Sequence, residues 1–120
     1  AKALNRPMSP HLTIYRPQIT SVASILNRIT GSGLAMLTYG VGMVYGIVGF
    51  ESASFALALH AMIPAALLTT AKGLLGFSFF YHAAAGLRHF VWDLASQLTI
   101  PGVTQTGYVA LAIGFAGGIW

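Results

Sequence analysis

The sequence contains no cysteine, and only two of its 120 residues are acidic. The missing thiols exclude disulfides, cysteine-bound zinc and iron–sulfur clusters held by this polypeptide. Any metal or redox group must therefore bind through other side chains. The candidates are the four histidines, His11, His60, His82 and His89.

Charge of either sign is also scarce: 7% of residues are charged, 56% are hydrophobic, and the mean hydropathy is +0.74. A soluble domain commonly carries about a quarter of its residues as charged side chains. This chain cannot cover itself with solvated groups, so the composition predicts an integral membrane protein surrounded largely by lipid. The length suits one domain with three crossings of about 20 residues each.

The basic residues are concentrated at one end of the chain. The first 28 positions contain no acid but hold Lys2, Arg6, Arg16 and Arg28. By the positive-inside rule, the N-terminus stays on the matrix or cytoplasmic side, and three crossings place the C-terminus opposite. We expect membrane lipid as a partner and no nucleic acid.

Residues 1–20 contain Pro7, Pro10 and Pro17, which disfavour helix at and just before each proline. They predict an extended, irregular arm on the matrix side. The arm lacks the apolar segment of a cleavable signal peptide. The chain begins at Ala1 rather than Met, which is compatible with a leader already removed.

The predicted fold is an all-α membrane domain over residues 21–120, with three transmembrane helices in up-down-up order inside a heteromeric helix bundle. The expected helices are residues 21–50, 63–94 and 104–120. The segment Glu51–Met62 is predicted to be a short connection, and Ile100-Pro101-Gly102 a turn. The pairs Gly42 and Gly46, and Gly114 and Gly118, have the spacing that allows close helix packing, although glycine is also simply tolerated in lipid.

One face of the second helix carries several polar residues and is the main candidate for a functional site, because ionisable groups are costly in lipid. At 3.6 residues per turn, this stripe comprises Leu75, Ser78, His82, Gly86, His89 and Asp93. His82 lies about 10 Å inside the interfacial end. Gly86, one turn away, leaves flat space for a planar ring, and Arg88 flanks the stripe nearer water.

This arrangement suits haem, since an imidazole can bind the iron and nearby cations can neutralise the propionates. His82 and His89 are about 10.5 Å apart along one helix, so they cannot bind one iron from opposite faces. A second ligand would have to come from another chain. The alternative, that His82 hydrogen-bonds a neighbouring helix, stays open from spacing alone.

Ser24 and Arg28 form a second pair, one turn apart at the basic end of the first helix. A hydroxyl and a planar cation on one face can hydrogen-bond a quinone carbonyl. Arg28 can equally extend to lipid phosphates, and the spacing does not decide between these roles. Lys72 is expected to extend toward the opposite membrane surface.

Two stretches resemble the signatures of one membrane-protein family. The first is Arg6-Pro7-Met8-Ser9-Pro10-His11-Leu12-Thr13-Ile14-Tyr15, followed by Ser24-Ile25-Leu26-Asn27-Arg28-Ile29-Thr30-Gly31. The second is His82-Ala83-Ala84-Ala85-Gly86-Leu87-Arg88-His89-Phe90-Val91-Trp92-Asp93. Over nearly its whole length the chain resembles the cytochrome b large membrane-anchor subunit of mitochondrial succinate dehydrogenase, respiratory complex II.

The resemblance implies specific site residues. His82 matches the axial ligand of haem b, with the other ligand supplied by the small membrane-anchor subunit. Ser24, Arg28 and Ile25 match the ubiquinone site. The positions expected near the haem propionates or the pocket's edge are His89, Arg88 and Arg28. The family usually has histidine at the position of Asn27, and asparagine can hydrogen-bond but cannot titrate.

The resemblance also implies a setting: the mitochondrial inner membrane rather than a bacterial cytoplasmic membrane, with an iron–sulfur subunit and a flavoprotein subunit as partners. The chain would pass electrons from succinate to ubiquinone as a subunit without a catalytic centre or independent activity. Two rivals stay open. One is a small transporter or channel subunit that uses Lys72, His82 and Asp93 as a polar pathway, and the other is a haem-less structural anchor.

Overall fold

The computed structural model of the protein describes Met8 and residues 10–119. This part is helical, which confirms the all-α class. A short 3-10 turn, Leu12–Ile14, is followed by α1 (Ile19–Val48), α2 (Ser52–Met62), α3 (Ala65–Asp93) and α4 (Ile100–Ile119). Four α-helices thus stand where three were predicted.

The prediction of a simple connection between the first two long helices is wrong, because α2 occupies it. Its sequence is rich in alanine and leucine, which favour helix. Glu51 precedes the helix and accepts a hydrogen bond from the Ser54 hydroxyl at 3.1 Å. Pro64 separates α2 from α3, since proline disfavours helix in the residue before it and suits a helix start. With 11 residues, α2 is too short to cross a bilayer.

The predicted turn at Ile100-Pro101-Gly102 is also wrong, because these residues form the first turn of α4. Proline is tolerated there since the first N–H groups of a helix have no partner within it. The Gly102 N–H donates to the Thr99 hydroxyl oxygen at 3.3 Å, which satisfies one of these groups. The helix therefore begins four residues before the predicted start at position 104.

The N-terminal helix begins at Ile19, so the last two residues of the predicted arm belong to α1. It ends at Gly49, whose φ of 65° is the left-handed conformation that glycine adopts at helix ends. Of the arm, Met8 and residues 10–18 are described, and they are exposed. Residues 1–7, Ser9 and Trp120 lie outside the described residues, and the matrix location of the arm stays a prediction.

Packing is closest between α3 and α4, and α1 lies against both. The two helices approach through glycines: a Cβ on Gly76 would lie 2.5 Å from the Gly117 carbonyl oxygen. The predicted close packing of Gly114 and Gly118 is confirmed. A Cβ on Gly114 would lie 2.8 Å from Tyr81 Cβ, and one on Gly118 would lie 2.9 Å from the Gly73 carbonyl oxygen.

The outer face of α1 is different. A Cβ on Gly42 or Gly46 would meet nothing within 4 Å, so their predicted helix contact stays a prediction about a partner. Large apolar side chains along α1 are exposed, among them Met36, Tyr39 and Ile47. Lipid or a partner must cover this face.

Among the described residues, α1 is the one helix long and apolar enough to suit a membrane crossing by length and composition, with a mean hydropathy of 1.3. The predicted arrangement of three crossings stays a proposal. The buried core is small and consists of Ala23, Tyr81, Ala85 and Ala110. A core of this size indicates that lipid or other chains cover most of the apolar surface.

Candidate functional site

The His82 ring lies against α1, where its Nδ1 atom is 3.1 Å from the carbonyl oxygen of Asn27. A carbonyl oxygen only accepts hydrogen bonds, so Nδ1 must carry the proton. In the neutral imidazole, Nε2 then keeps its lone pair. Histidines that bind metals commonly donate their other ring N–H to a carbonyl or carboxylate in this way. His82 thus hydrogen-bonds a neighbouring helix and still offers one nitrogen to a metal.

The ring reaches α1 because residue 31 is a glycine. A Cβ on Gly31 would lie 2.5 Å from His82 Cε1, 3.1 Å from Nδ1 and 3.3 Å from Nε2. No real Cβ approaches a ring atom that closely, so the ring occupies the space that any other side chain would fill. On α3, one turn beyond His82, a Cβ on Gly86 would meet nothing within 4 Å. The predicted open surface beside His82 is therefore present in the described part of the chain.

We call the side of the α1–α3 pair that carries His82 and Gly31 the His82 flank. At 100° per residue, Phe77 and Arg88, which both face α4, lie about 120–140° around α3 from His82. The His82 flank is therefore turned away from α4. A partner chain or cofactor can approach it without displacing any described helix.

Ser24 and Arg28 are exposed and lie on the His82 flank. Around α1, they are within about 60° of Gly31. Along the axis, Arg28 is about 4.5 Å and Ser24 about 10.5 Å from Gly31, toward the N-terminal end of the helix. The structure thus brings this pair to the same side as His82. Ile25, 56% exposed, is turned about 120° from Gly31 and lies off the flank.

Arg88 points to α4 instead. Its Nε donates to the Thr106 hydroxyl at 2.9 Å, and a terminal nitrogen donates to the Val103 carbonyl at 2.6 Å. The guanidinium also lies over the Trp92 ring, with Cζ 4.1 Å from its centroid. These contacts join α3 to α4 on the side away from His82, so the haem role of Arg88 stays a prediction without support from its geometry.

His89 is exposed and shares the His82 flank, two turns nearer the end of α3. Its ring meets the Trp92 ring edge-on, with centroids 5.0 Å apart. The Trp92 Nε1 atom and the Asn27 Oδ1 atom are buried without a hydrogen-bond partner among the described residues. Neither was predicted as a site residue from sequence, since an orphaned polar atom is visible only in the folded chain.

Residues 8 and 10–119 contain no group of three or more histidine, cysteine, aspartate or glutamate side chains able to hold a metal ion. His60, away from the flank, is exposed and hydrogen-bonds the Ala56 carbonyl of its own helix, at 2.8 Å. Lys72 and Asp93 are exposed and lie about 15 Å along α3 from His82, on either side of it. His82 therefore belongs to no group of three or more such side chains among the described residues.

Comparison with known proteins identifies the family. The model of the succinate dehydrogenase/fumarate reductase transmembrane subunit matches residues 2–120. The chain belongs to this family. It is 40% identical to the succinate dehydrogenase cytochrome b560 subunit of Reclinomonas americana, over 93% of this chain and 81% of that protein.

Two further members of the succinate dehydrogenase family are similar. The mitochondrial cytochrome B subunit of Schizosaccharomyces pombe is 36% identical over 94% of this chain, and the mitochondrial cytochrome b560 subunit of Sus scrofa is 39% identical over 91%. The chain covers 65% of the length of each of these two relatives. The resemblance found in the sequence signatures is thereby confirmed at the level of the family.

Proposed function

We propose that this chain is the cytochrome b membrane-anchor subunit of a mitochondrial succinate dehydrogenase, and that it supplies one haem b ligand and part of a ubiquinone site. It has no catalytic centre of its own. The observation that carries the proposal is the hydrogen bond from His82 Nδ1 to the Asn27 carbonyl, because it leaves Nε2 as the metal-binding atom.

The residues of the His82 flank fit a haem. His82 offers one nitrogen of defined tautomer, Gly86 leaves open surface beside it, and the cation Arg28 lies on the same side. When bound, haem b supplies a one-electron carrier inside the membrane. Because His89 lies about 10.5 Å from His82 along the same helix, the two could not bind one iron from opposite faces, and a second ligand would come from the small membrane-anchor subunit.

The quinone site is proposed at the N-terminal end of α1. Ser24 and Arg28 expose a hydroxyl and a fork of N–H donors there, and these groups can hydrogen-bond a quinone carbonyl and stabilise charge that develops on it. Ile25, exposed on the neighbouring side, would contact the apolar ring. Exposure of all three in the single chain supports a pocket that partner subunits complete.

The helix order supports one membrane arrangement. α1, α3 and α4 would each cross the inner membrane, with α2 lying at the surface opposite the matrix. The basic N-terminal end then faces the matrix, beside the C-terminal end of α3. The iron–sulfur and flavoprotein subunits would bind on that side and deliver electrons from succinate to the site at Ser24 and Arg28.

The rival proposals find less support. A transport pathway through Lys72, His82 and Asp93 needs neighbouring polar groups, yet His82 is about 15 Å along α3 from either of the others. A structural anchor without haem would gain nothing from a histidine in an apolar helix, where a polar side chain is costly.

The test is a reduced-minus-oxidised optical spectrum of the purified complex carrying His82→Ala. The b-type signal and the haem content should be lost, because the axial nitrogen is removed. His60→Ala is the matched control, since His60 is exposed and hydrogen-bonds within α2; its spectrum should equal that of the unaltered complex. A normal spectrum for His82→Ala would reject the assignment.

A further inference from the structure

We propose that Gly31 is a positioning residue for the haem, because a residue without a side chain at this position determines where the His82 ring lies. This inference rests on the proposed function, in which His82 is the axial ligand. It adds that α1 contributes to the iron site through its backbone, by a gap at Gly31 and a carbonyl at Asn27.

The steric contact between Gly31 and the His82 ring is local and specific. A methyl group at Gly31 would come closest to Cε1 of the His82 ring, at 2.5 Å. Cε1 is the ring atom between the two nitrogens, so any displacement there moves both the hydrogen-bonding atom and the iron-binding atom. Gly33, two residues away on the same helix, has nothing within 4 Å of its Cβ position.

The Asn27 carbonyl makes a polar contact with the same ring. It lies one helical turn before Gly31, so a ring that stacks over the glycine brings Nδ1 within 3.1 Å of that oxygen. Thr30 is 5% exposed, and the single hydrogen of its hydroxyl is shared between the same oxygen, at 3.1 Å, and the Leu26 carbonyl oxygen, at 2.9 Å. This contact with a buried side chain helps to hold the Asn27 carbonyl in place.

The acceptor belongs to the main chain, and the Asn27 side chain takes no part: its Oδ1 atom has no partner among the described residues. A different side chain at position 27 would still leave the acceptor oxygen in the main chain. Gly31 is therefore the position at which a mutation can break it while leaving the ligand in place. Loss of a hydrogen bond behind a metal ligand commonly costs about 10–100-fold in affinity for the metal group.

The experiment uses the purified complex carrying Gly31→Ala, with Gly33→Ala as the matched control and His82→Ala in parallel. Three properties are measured: haem per complex, the rate of haem transfer to excess apomyoglobin, and the low-spin EPR signal of the oxidised haem. Gly31→Ala should release haem roughly 10–100-fold faster and shift the EPR signal. Gly33→Ala should match the unaltered complex.

The outcomes separate the two proposals. If His82→Ala loses haem while Gly31→Ala matches Gly33→Ala in all three properties, the inference about Gly31 is wrong and the ligand assignment stands. If His82→Ala retains its spectrum, both are wrong.

A double mutant covers the case in which Gly31→Ala assembles poorly. With His82→Ala in the same chain, the ring that the added methyl would strike is gone. The double mutant should then assemble as well as His82→Ala alone, which shows that the two effects are not additive. Poorer assembly than His82→Ala would mean that Gly31 serves something other than the ring, and the inference would fall.

Discussion

The phenolic oxygen of Tyr81 lies 2.7 Å from the carbonyl oxygen of Ala23, across the contact between α3 and α1. Tyr81 is 1% exposed and immediately precedes His82. Its hydroxyl hydrogen has one acceptor on α1, and its ring stacks on Phe77 with centroids 5.7 Å apart. This bond therefore holds α1 against α3 just beside the candidate ligand.

Tyr81→Phe should lower the thermal stability of the complex without removing haem. The change deletes one buried hydrogen bond and keeps the ring, so the cost is about 1 kcal/mol. The measurement is the unfolding temperature of the purified complex together with its haem content. Tyr39→Phe, at a position 73% exposed, is the control and should leave the temperature unchanged. Equal behaviour of the two variants would show that the Tyr81 bond contributes nothing.

Arg88→Gln should weaken the attachment of α4 to α3. The substitution removes the donor to the Val103 carbonyl and the cation over Trp92, and it replaces the Nε donor to Thr106 with an uncharged amide. Thr106→Val removes one of these bonds while keeping size, so it should cause a smaller loss of stability in the same direction. Thermal unfolding of both single variants and the double variant measures the coupling between the two side chains.

The same variants test the predicted haem role of Arg88. If its partners are on α4, the optical spectrum and redox potential of the haem stay normal in both variants. A shifted potential in Arg88→Gln, with Thr106→Val silent in every property, would instead show that the arginine serves the propionates.

Periodicity identified His82 as a candidate, because the sequence shows a histidine flanked by apolar turns and followed one turn later by glycine. The acceptor of its hydrogen bond could not be predicted, because every residue has a backbone carbonyl and nothing in the sequence distinguishes the one at Asn27. The Gly31 gap was likewise hidden: its position opposite His82 depends on how α1 crosses α3.

The misplaced boundaries have similar causes. Pro101-Gly102 is typical of a turn, but both residues are compatible with the first turn of a helix, and context decides. The segment after Glu51 was too short to span the membrane and was predicted as a connection, although its alanines and leucines favour helix. The direction of Arg88 depended on α4: the Gly114 and Gly118 spacing predicted a close helix contact, but no local pattern identified α3 as the partner helix.

The chain should not be stable in the membrane by itself. Its buried core is limited to a few small residues and Tyr81, and the Gly42 and Gly46 face of α1 meets nothing within the described chain. Expressed without partner subunits, it should be degraded or aggregate, because small-residue faces in lipid are satisfied by other helices. Size-exclusion chromatography in detergent provides the measurement. A monodisperse, haem-loaded monomer would contradict the expectation.

The final prediction separates quinone reduction from succinate oxidation. Ser24 and Arg28 lie one turn apart on the His82 flank, and both are exposed. Ser24→Ala removes a hydroxyl without adding bulk, and Arg28→Lys keeps the charge but loses the planar fork of donors.

Each variant should reduce quinone less efficiently by roughly 10–100-fold, the usual effect of losing a hydrogen bond to a group that develops charge. Succinate oxidation with an artificial acceptor, which bypasses the quinone, should stay near normal, and Ser21→Ala, at an exposed position three residues before Ser24, is the control. If both activities fall together, or if quinone reduction is untouched, the site is elsewhere. If haem is lost from the Arg28 variant but retained in the Ser24 variant, Arg28 also hydrogen-bonds the propionates through its planar fork of donors, because lysine at this position keeps the charge.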